Sequence, residues 1–282
     1  EVTLGVTAER QAHMLETIDF LCDTDTCFPG DAAKLVGRLG FATQWTYGRF
    51  GRAILQPLLR RAQREAREAL VDAAVRGALH FFRSVLGRPG GLPRRRYRLR
   101  PDGRGTVWIW TDAMYEEGKP AMLAFVVRFS GGRGERPRFV HAKMATPKEM
   151  MARFVPGKKQ YIGQLELLAA VAVYTSLAGQ LRGRRVIHMI DNQSAVAALI
   201  KGYARAPDSV NIVHAFAAFN LGLEVSPWFE YVPSKANIAD LPSRGDESLL
   251  RELGSEEVPM VLPDVRAWDE PAAAWMERAA EG

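Results

Sequence analysis

The sequence predicts an α/β protein: a mixed five-stranded sheet in the element order βββαβααβ, preceded by a small helical region. Three observations predict it. The first third keeps a helical apolar period with charged residues on its other faces. Three successive runs rich in branched and aromatic residues then follow with only turn residues between them, as in an antiparallel meander. After these, apolar helical runs alternate with two more strand-like runs, which is how a sheet with crossover helices is written.

In chain order, residues 1–88 form the helical region. From Ile54 a step of four gives Leu58, Ala62, Ala66, Leu70, Ala74, Ala78 and Phe82, one continuous stripe, while Arg60, Arg61, Arg64, Arg67 and Glu68 lie on other faces. This reads either as a bundle helix with a solvated charged face or as one that tracks phosphates. Pro57 suits its first turn. Residues 89–105 are a basic linker, since "GRPGGLPRRRYRLRPDGRG" (87 to 105) breaks all periodicity.

A domain over residues 106–245 follows. "TVWIWTD" (106 to 112), "PAMLAFVVRFS" (120 to 130) and "RPRFVHAKM" (136 to 144) are the meander strands. "YIGQLELLAAVAVYTSLAGQL" (161 to 181) is a helix, "RRVIHMID" (184 to 191) a strand, and "QSAVAALIKG" (193 to 202) and "DSVNIVHAFAAFNLG" (208 to 222) are helices. "LEVSPWFEYVPS" (223 to 234) is the last strand. Residues 246–282 form an acidic tail, with ten carboxylates against Arg251, Arg266 and Arg278, expected as short helices or a peptide packed on the surface.

Lys plus Arg number 38 against 32 Asp plus Glu, a net charge of +6. That surplus suits a polyanionic partner, and its concentration between Arg49 and Arg104 places any nucleic-acid surface ahead of the tail. Cys22 and Cys27, four residues apart in "CDTDTC", fit neither a zinc knuckle nor a disulfide framework and are read as reduced thiols of an intracellular protein, cytoplasmic or nuclear. The longest apolar run, Leu165 to Gly179, is too short to span a bilayer and carries Glu166, so no membrane partner is expected. The chain opens at Glu1 and is expected to be a segment of a longer polypeptide.

Four acids hold marked places: Asp112 ends the first strand, Glu166 lies one turn into an apolar helix, Asp191 ends the fourth strand, and Asp240 follows the fifth inside "YVPSKANIADLPSRG" (231 to 245). Singly, each has a structural explanation as a cap, a first-turn acid or a turn residue. Converging where strand ends meet helix starts, they would repel one another unless cations neutralised them. Such a set is a hard-oxygen site for Mg²⁺ or Mn²⁺, and two ions can clamp the attacking and leaving oxygens of a phosphodiester.

The blocks "WTDA" (110 to 113), "QLELLA" (164 to 169), "IDNQSAV" (190 to 196) and "VPSKANIADLPSRG" (232 to 245) resemble the four acidic blocks of the ribonuclease H domain of retroelement reverse transcriptases. The closing block is especially similar to that of long-terminal-repeat retrotransposons, tyrosine-recombinase retrotransposons and hepadnaviral polymerases. "AERQAHMLETIDFL" (8 to 21) and "AAKLVGRLGFATQWTYGRFGRAILQPL" (32 to 58) resemble the helical region downstream of the polymerase palm in the same elements. The resemblance implies a ribonuclease H-like fold in which Asp112, Glu166, Asp191 and Asp240 bind two divalent ions, Mg²⁺ or Mn²⁺. The resemblance further implies that one ion would activate water to cut the RNA strand of an RNA–DNA hybrid, and that the upstream polymerase region of the same polyprotein would be the protein partner.

Arg94, Arg95, Arg96 and Arg98, with Asn192 and Gln193, are the candidate nucleic-acid contacts. Retroviral and cellular relatives carry a histidine in the loop before the last aspartate, where this chain has Lys235, a candidate catalytic cation. The aromatic-x-Asp-Asp block of the polymerase is absent, so polymerisation does not reside here. Proofreading exonucleases place Asp-x-Glu in the first strand and integrases put their glutamate last; neither order is found here. A different class of reading is a non-catalytic nucleic-acid-binding connection module of a polymerase, against which the retention of all four acids speaks.

Overall fold

The structure, a computed structural model, describes residues 1–64, 69–97, 103–131, 136–157 and 159–263. It divides into two units, one built on Glu1–Arg100 together with Ala217–Gly222, a stretch of a helix that otherwise falls in the second unit, and the other on Pro101–Phe216 and Leu223–Asp269.

The first unit contains β1 (Val2–Leu4), α1 (Ala8–Asp23), α2 (Pro29–Thr43), α3 (Gln56–Ala62), α4 (Ala73–Leu86) and β2 (Arg95–Tyr97). Thr7 caps α1 by accepting from the Arg10 N–H, and Pro29 sits in the first turn of α2, where a missing N–H costs nothing. Ile18, Leu35, Leu39, Leu58, Leu79 and Phe82 are fully buried. Each such side chain contributes roughly 1.5–3 kcal/mol on removal from water.

The continuous helix expected from Ile54 to Phe82 is two helices. Pro57 does open α3, but the helix ends at Ala62 with Gln63 as its cap. A new helix begins at Ala73, where the Asp72 carboxylate accepts from the Val75 N–H. Leu70 fits the step of four yet is 76% exposed and forms a bridge with Thr26. Ala66, Arg67 and Glu68 lie outside the described residues. Arg61, expected on a charged outer face, is instead buried; its Nη2 donates to the Leu70 carbonyl at 2.6 Å and to Asp72 Oδ2 at 3.3 Å. Within the basic stretch, β2 pairs antiparallel with β1, Val2 opposite Tyr97 and Leu4 opposite Arg95.

The second unit runs β3 (Val107–Met114), β4 (Met122–Phe129), β5 (Arg138–Ala145), α5 (Lys148–Met151), α6 (Ile162–Ser176), α7 (Ala178–Leu181), β6 (Arg185–Ile190), α8 (Gln193–Lys201), α9 (Pro207–Leu223), β7 (Ser226–Tyr231), α10 (Asp240–Ser243), α11 (Ser248–Glu252) and β8 (Glu256–Glu257). The sheet order is β7-β6-β3-β4-β5-β8. β3, β4 and β5 form the antiparallel meander, while β6 lies parallel to both β3 and β7. All five expected strands are present in the expected order, and β8 adds a sixth that the sequence reading lacked. The predicted helix over 161–181 breaks at Leu177 (φ −115°, ψ 28°) into α6 and α7. α6 is buried from Gln164 to Tyr174 on every side, which explains why its sequence is apolar all round.

The first part of the acidic tail belongs to this unit. β8 pairs parallel with the outer edge of β5, and the Val258 N–H donates to the His141 carbonyl at 2.9 Å. Lys143 pairs with Glu247, and Arg138 Nη2 meets Glu256 Oε2 at 2.9 Å. Leu250 packs with Val126 and Ala239, flanked by Trp110, Phe139 and Ile238. Among the described residues no helix is long and apolar enough to cross a membrane. Cys22 and Cys27 are free thiols; burial, foremost, pushes both above their ordinary pKa.

Candidate metal centre

Strand register places the first pair of acids. β3 and β6 are parallel neighbours with Thr111 opposite Ile190, so Asp112 and Asp191, one residue further on, lie side by side; Asp191 follows the end of β6, whereas Asp112, expected to end its strand, lies inside β3, which continues to Met114 against β4. Glu166 enters from the first turns of α6, which packs on the sheet beside them. One carboxylate oxygen from each of Asp112, Glu166 and Asp191 lies within 4.8 Å of the others. Asp112 and Glu166 are each only 3% exposed.

Backbone and side-chain bonds hold this arrangement. The Ala113 N–H donates to Glu166 Oε1 at 3.2 Å, tying the helix acid to the strand that carries Asp112. Asn237, buried, donates from Nδ2 to the Thr111 carbonyl at 2.9 Å and accepts from the Ala239 N–H at 3.2 Å, which fastens the last acidic block against β3. Ser243, also buried, donates to the Asp240 carbonyl at 2.9 Å, and its hydroxyl lowers the pKa of the Asp112 carboxyl. Beneath the site, the buried His188 ring bridges Thr111 Oγ1 (3.0 Å) and the Tyr174 hydroxyl (3.1 Å). Burial pushes that imidazole down to about 3, so it is neutral and serves as a fixed link between β3, β6 and α6.

The electrostatics are those of uncompensated anions. Burial, foremost, and then the charges of Asp191 and Asp240 push the Asp112 carboxyl up to about 7, against the Ser243 hydroxyl and Arg244. Burial also drives Glu166 well above the carboxylate range, followed by the Asp112 and Asp191 charges. Glu166 Oε2 is buried and has no hydrogen-bond partner among the described residues. An orphaned carboxylate oxygen facing two further carboxylates fits a hard divalent cation, which would supply both the missing ligand bond and the missing positive charge. The cluster is therefore compatible with divalent-metal binding.

The other predicted residues take varied places. Asp240 opens α10 and stands outside the three-carboxylate group, although its charge acts on Asp112 and Glu166. Its Oδ1 accepts from Arg244 Nε at 2.8 Å. Lys235 is exposed in the 3-10 turn Ser234–Ala236. Asn192 caps α8 through its Oδ1 on the Ala195 N–H, and Gln193 is exposed at the first position of that helix. In the first unit Arg94 is exposed, Arg95 stacks over Tyr97 (4.8 Å) and Tyr47 (5.5 Å), and Arg96 lies 3.8 Å from Glu1; Arg98 falls outside the described residues. Sequence reasoning gave no role to Asn237, Ser243 or Arg244, although all three sit inside the closing block it singled out.

No protein-family model matches the chain, and no curated protein matches it. Among solved structures, RNase H1 from the halophilic archaeon Halobacterium salinarum NRC-1 aligns over 52% of this chain and 99% of its own length at 17% identity, with a TM-score of 0.36. LC9-RNase H1, described as a type 1 RNase H with the type 2 active-site motif, aligns over 64% of this chain and 87% of its own at 13% identity, with a TM-score of 0.35. The fold itself rests on the strand order and connections: an antiparallel meander whose first strand is extended by two parallel strands through helical crossovers is a ribonuclease H-like sheet.

Proposed function

We propose that the chain is a metal-dependent endonuclease that cleaves the RNA strand of RNA–DNA hybrids, as the ribonuclease H part of a retroelement reverse transcriptase. The observation that carries this reading is the convergence of Asp112, Glu166 and Asp191 within 4.8 Å, with an orphaned oxygen on Glu166. Asp240 is the fourth acid, and the group it completes suits two ions, Mg²⁺ or Mn²⁺. When bound, such ions supply charge neutralisation on the phosphodiester and a hydrolytic nucleophile at neutral pH. The chain's own residues orient that chemistry: Ala113 aims Glu166, Ser243 lowers the pKa of Asp112, and Asn237 fixes the approach of the closing block. The similarity of the closing block and of the helical region to reverse transcriptases supports the retroelement context and an upstream polymerase region as partner.

Asp191→Asn removes one charge at constant size and should lower cleavage of a labelled RNA–DNA hybrid by roughly 10³-fold or more, equivalent to about 4 kcal/mol of transition-state stabilisation, with the circular dichroism spectrum unchanged. Near-parental turnover with Mg²⁺ would end the metal-centre reading. Hybrid binding by the parent without metal-dependent cleavage would instead identify a non-catalytic module.

A further inference from the structure

Asp240 differs from the other three acids in having a fixed partner of opposite charge. Arg244, one helical turn on, donates from Nε to Asp240 Oδ1 at 2.8 Å, with the Arg244 side chain 63% exposed and that of Asp240 24% exposed. The same guanidinium acts electrostatically on Asp112 and Asp191. A cation is thus already present at the open side of the acidic group, supplied by the chain itself.

We propose that Arg244 is a positioning residue that occupies Asp240 in place of a divalent ion and so sets the affinity of the more weakly held of the two ions. The inference rests on the metal-dependent nuclease reading above. Two effects of Arg244 oppose each other. It orients the Asp240 carboxylate, which favours ion binding, and it repels a dication and ties up one of the carboxylate oxygens, which disfavours it. Repulsion dominates, because a dication carries twice the charge of its competitor while an exposed ion pair orients its partners only weakly. The guanidinium therefore keeps one ion exchangeable, and the three-carboxylate group retains the tighter one.

The test is calorimetric titration of the full chain with Mn²⁺ alone, without nucleic acid. Asp191→Asn should weaken the tighter binding event. Arg244→Gln should lower the Mn²⁺ concentration at half-saturation of the weaker event by about fivefold, a modest shift because solvent screens an exposed guanidinium. Arg244→Lys, which keeps the charge, should bind as the parent does, and Arg244→Gln added to Asp240→Asn should change nothing further. Unchanged or weaker Mn²⁺ binding by Arg244→Gln would overturn the proposal, as would an Arg244→Lys variant as tight as the glutamine one. If Asp191→Asn leaves the whole isotherm unaltered, the metal centre itself fails, and that result is distinguishable from failure of the arginine alone.

Discussion

Asp72 and Asp112 carry the same side chain and are driven in opposite directions. Asp72 caps α4, and the Val75 N–H foremost, then Arg61 and Arg64, hold its carboxyl below the usual range against partial burial. Asp112 sits among other acids, and burial foremost, then Asp191 and Asp240, push it up to about 7. In the first unit the carboxylate is satisfied by the fold and contributes to it. In the second, the fold holds carboxylates where they repel, and strain of that kind concentrates at functional sites.

The contrast makes predictions of opposite sign. The largest concerns pH. Asp112 has a folded pKa raised above its unfolded value of 3.8, so the stability it contributes is fully present below that value and is lost as pH rises through about 7. In a chelator, unfolding free energy should fall on the order of 4 kcal/mol between these limits, and Mg²⁺ added at the upper limit should recover much of it. A flat urea-unfolding profile across that range would break the comparison. Next, Asp72→Asn keeps the cap acceptor but strips the charge facing buried Arg61, and should destabilise by about 2 kcal/mol in chemical denaturation. The smallest effect is a gain: Glu166→Gln relieves the like-charge cluster and should stabilise the ion-free protein by about 1 kcal/mol at mildly alkaline pH while abolishing cleavage. A loss of stability there would mean that Glu166 is structural, as Asp72 is.

What the sequence made legible follows from how strongly each pattern is constrained. The strands of the second unit were legible because each is a run of branched and aromatic residues bounded by turn residues, and α6 because a nearly continuous apolar run of that length belongs in the core. The acids stood out because each is an isolated carboxylate beside or within an apolar run, as Glu166 is in α6 and Asp191 is after β6. The break between α3 and α4 did not, since Leu70 continues the apolar step while lying in solvent, and the cap that restarts the helix is a single aspartate. Arg61 read as surface because burial of an arginine depends on a carbonyl and a carboxylate distant in the pattern. β1, β2 and β8 are two or three residues long, too short to show a period. Asn237, Ser243 and Arg244 lay in the recognised block, but only the folded geometry gives them partners.

The short strand β8 reaches beyond its two residues in consequence. The outer edge of β5 presents a row of backbone donors and acceptors, and an edge left bare in that way is a template for another chain. The chain supplies its own cover, held by the Lys143–Glu247 and Arg138–Glu256 pairs and by Leu250 in the core beneath. The acidic segment thus fills the edge at Val140 and His141, where another strand could otherwise pair, and its carboxylates meet the basic side chains Arg138 and Lys143 of that edge.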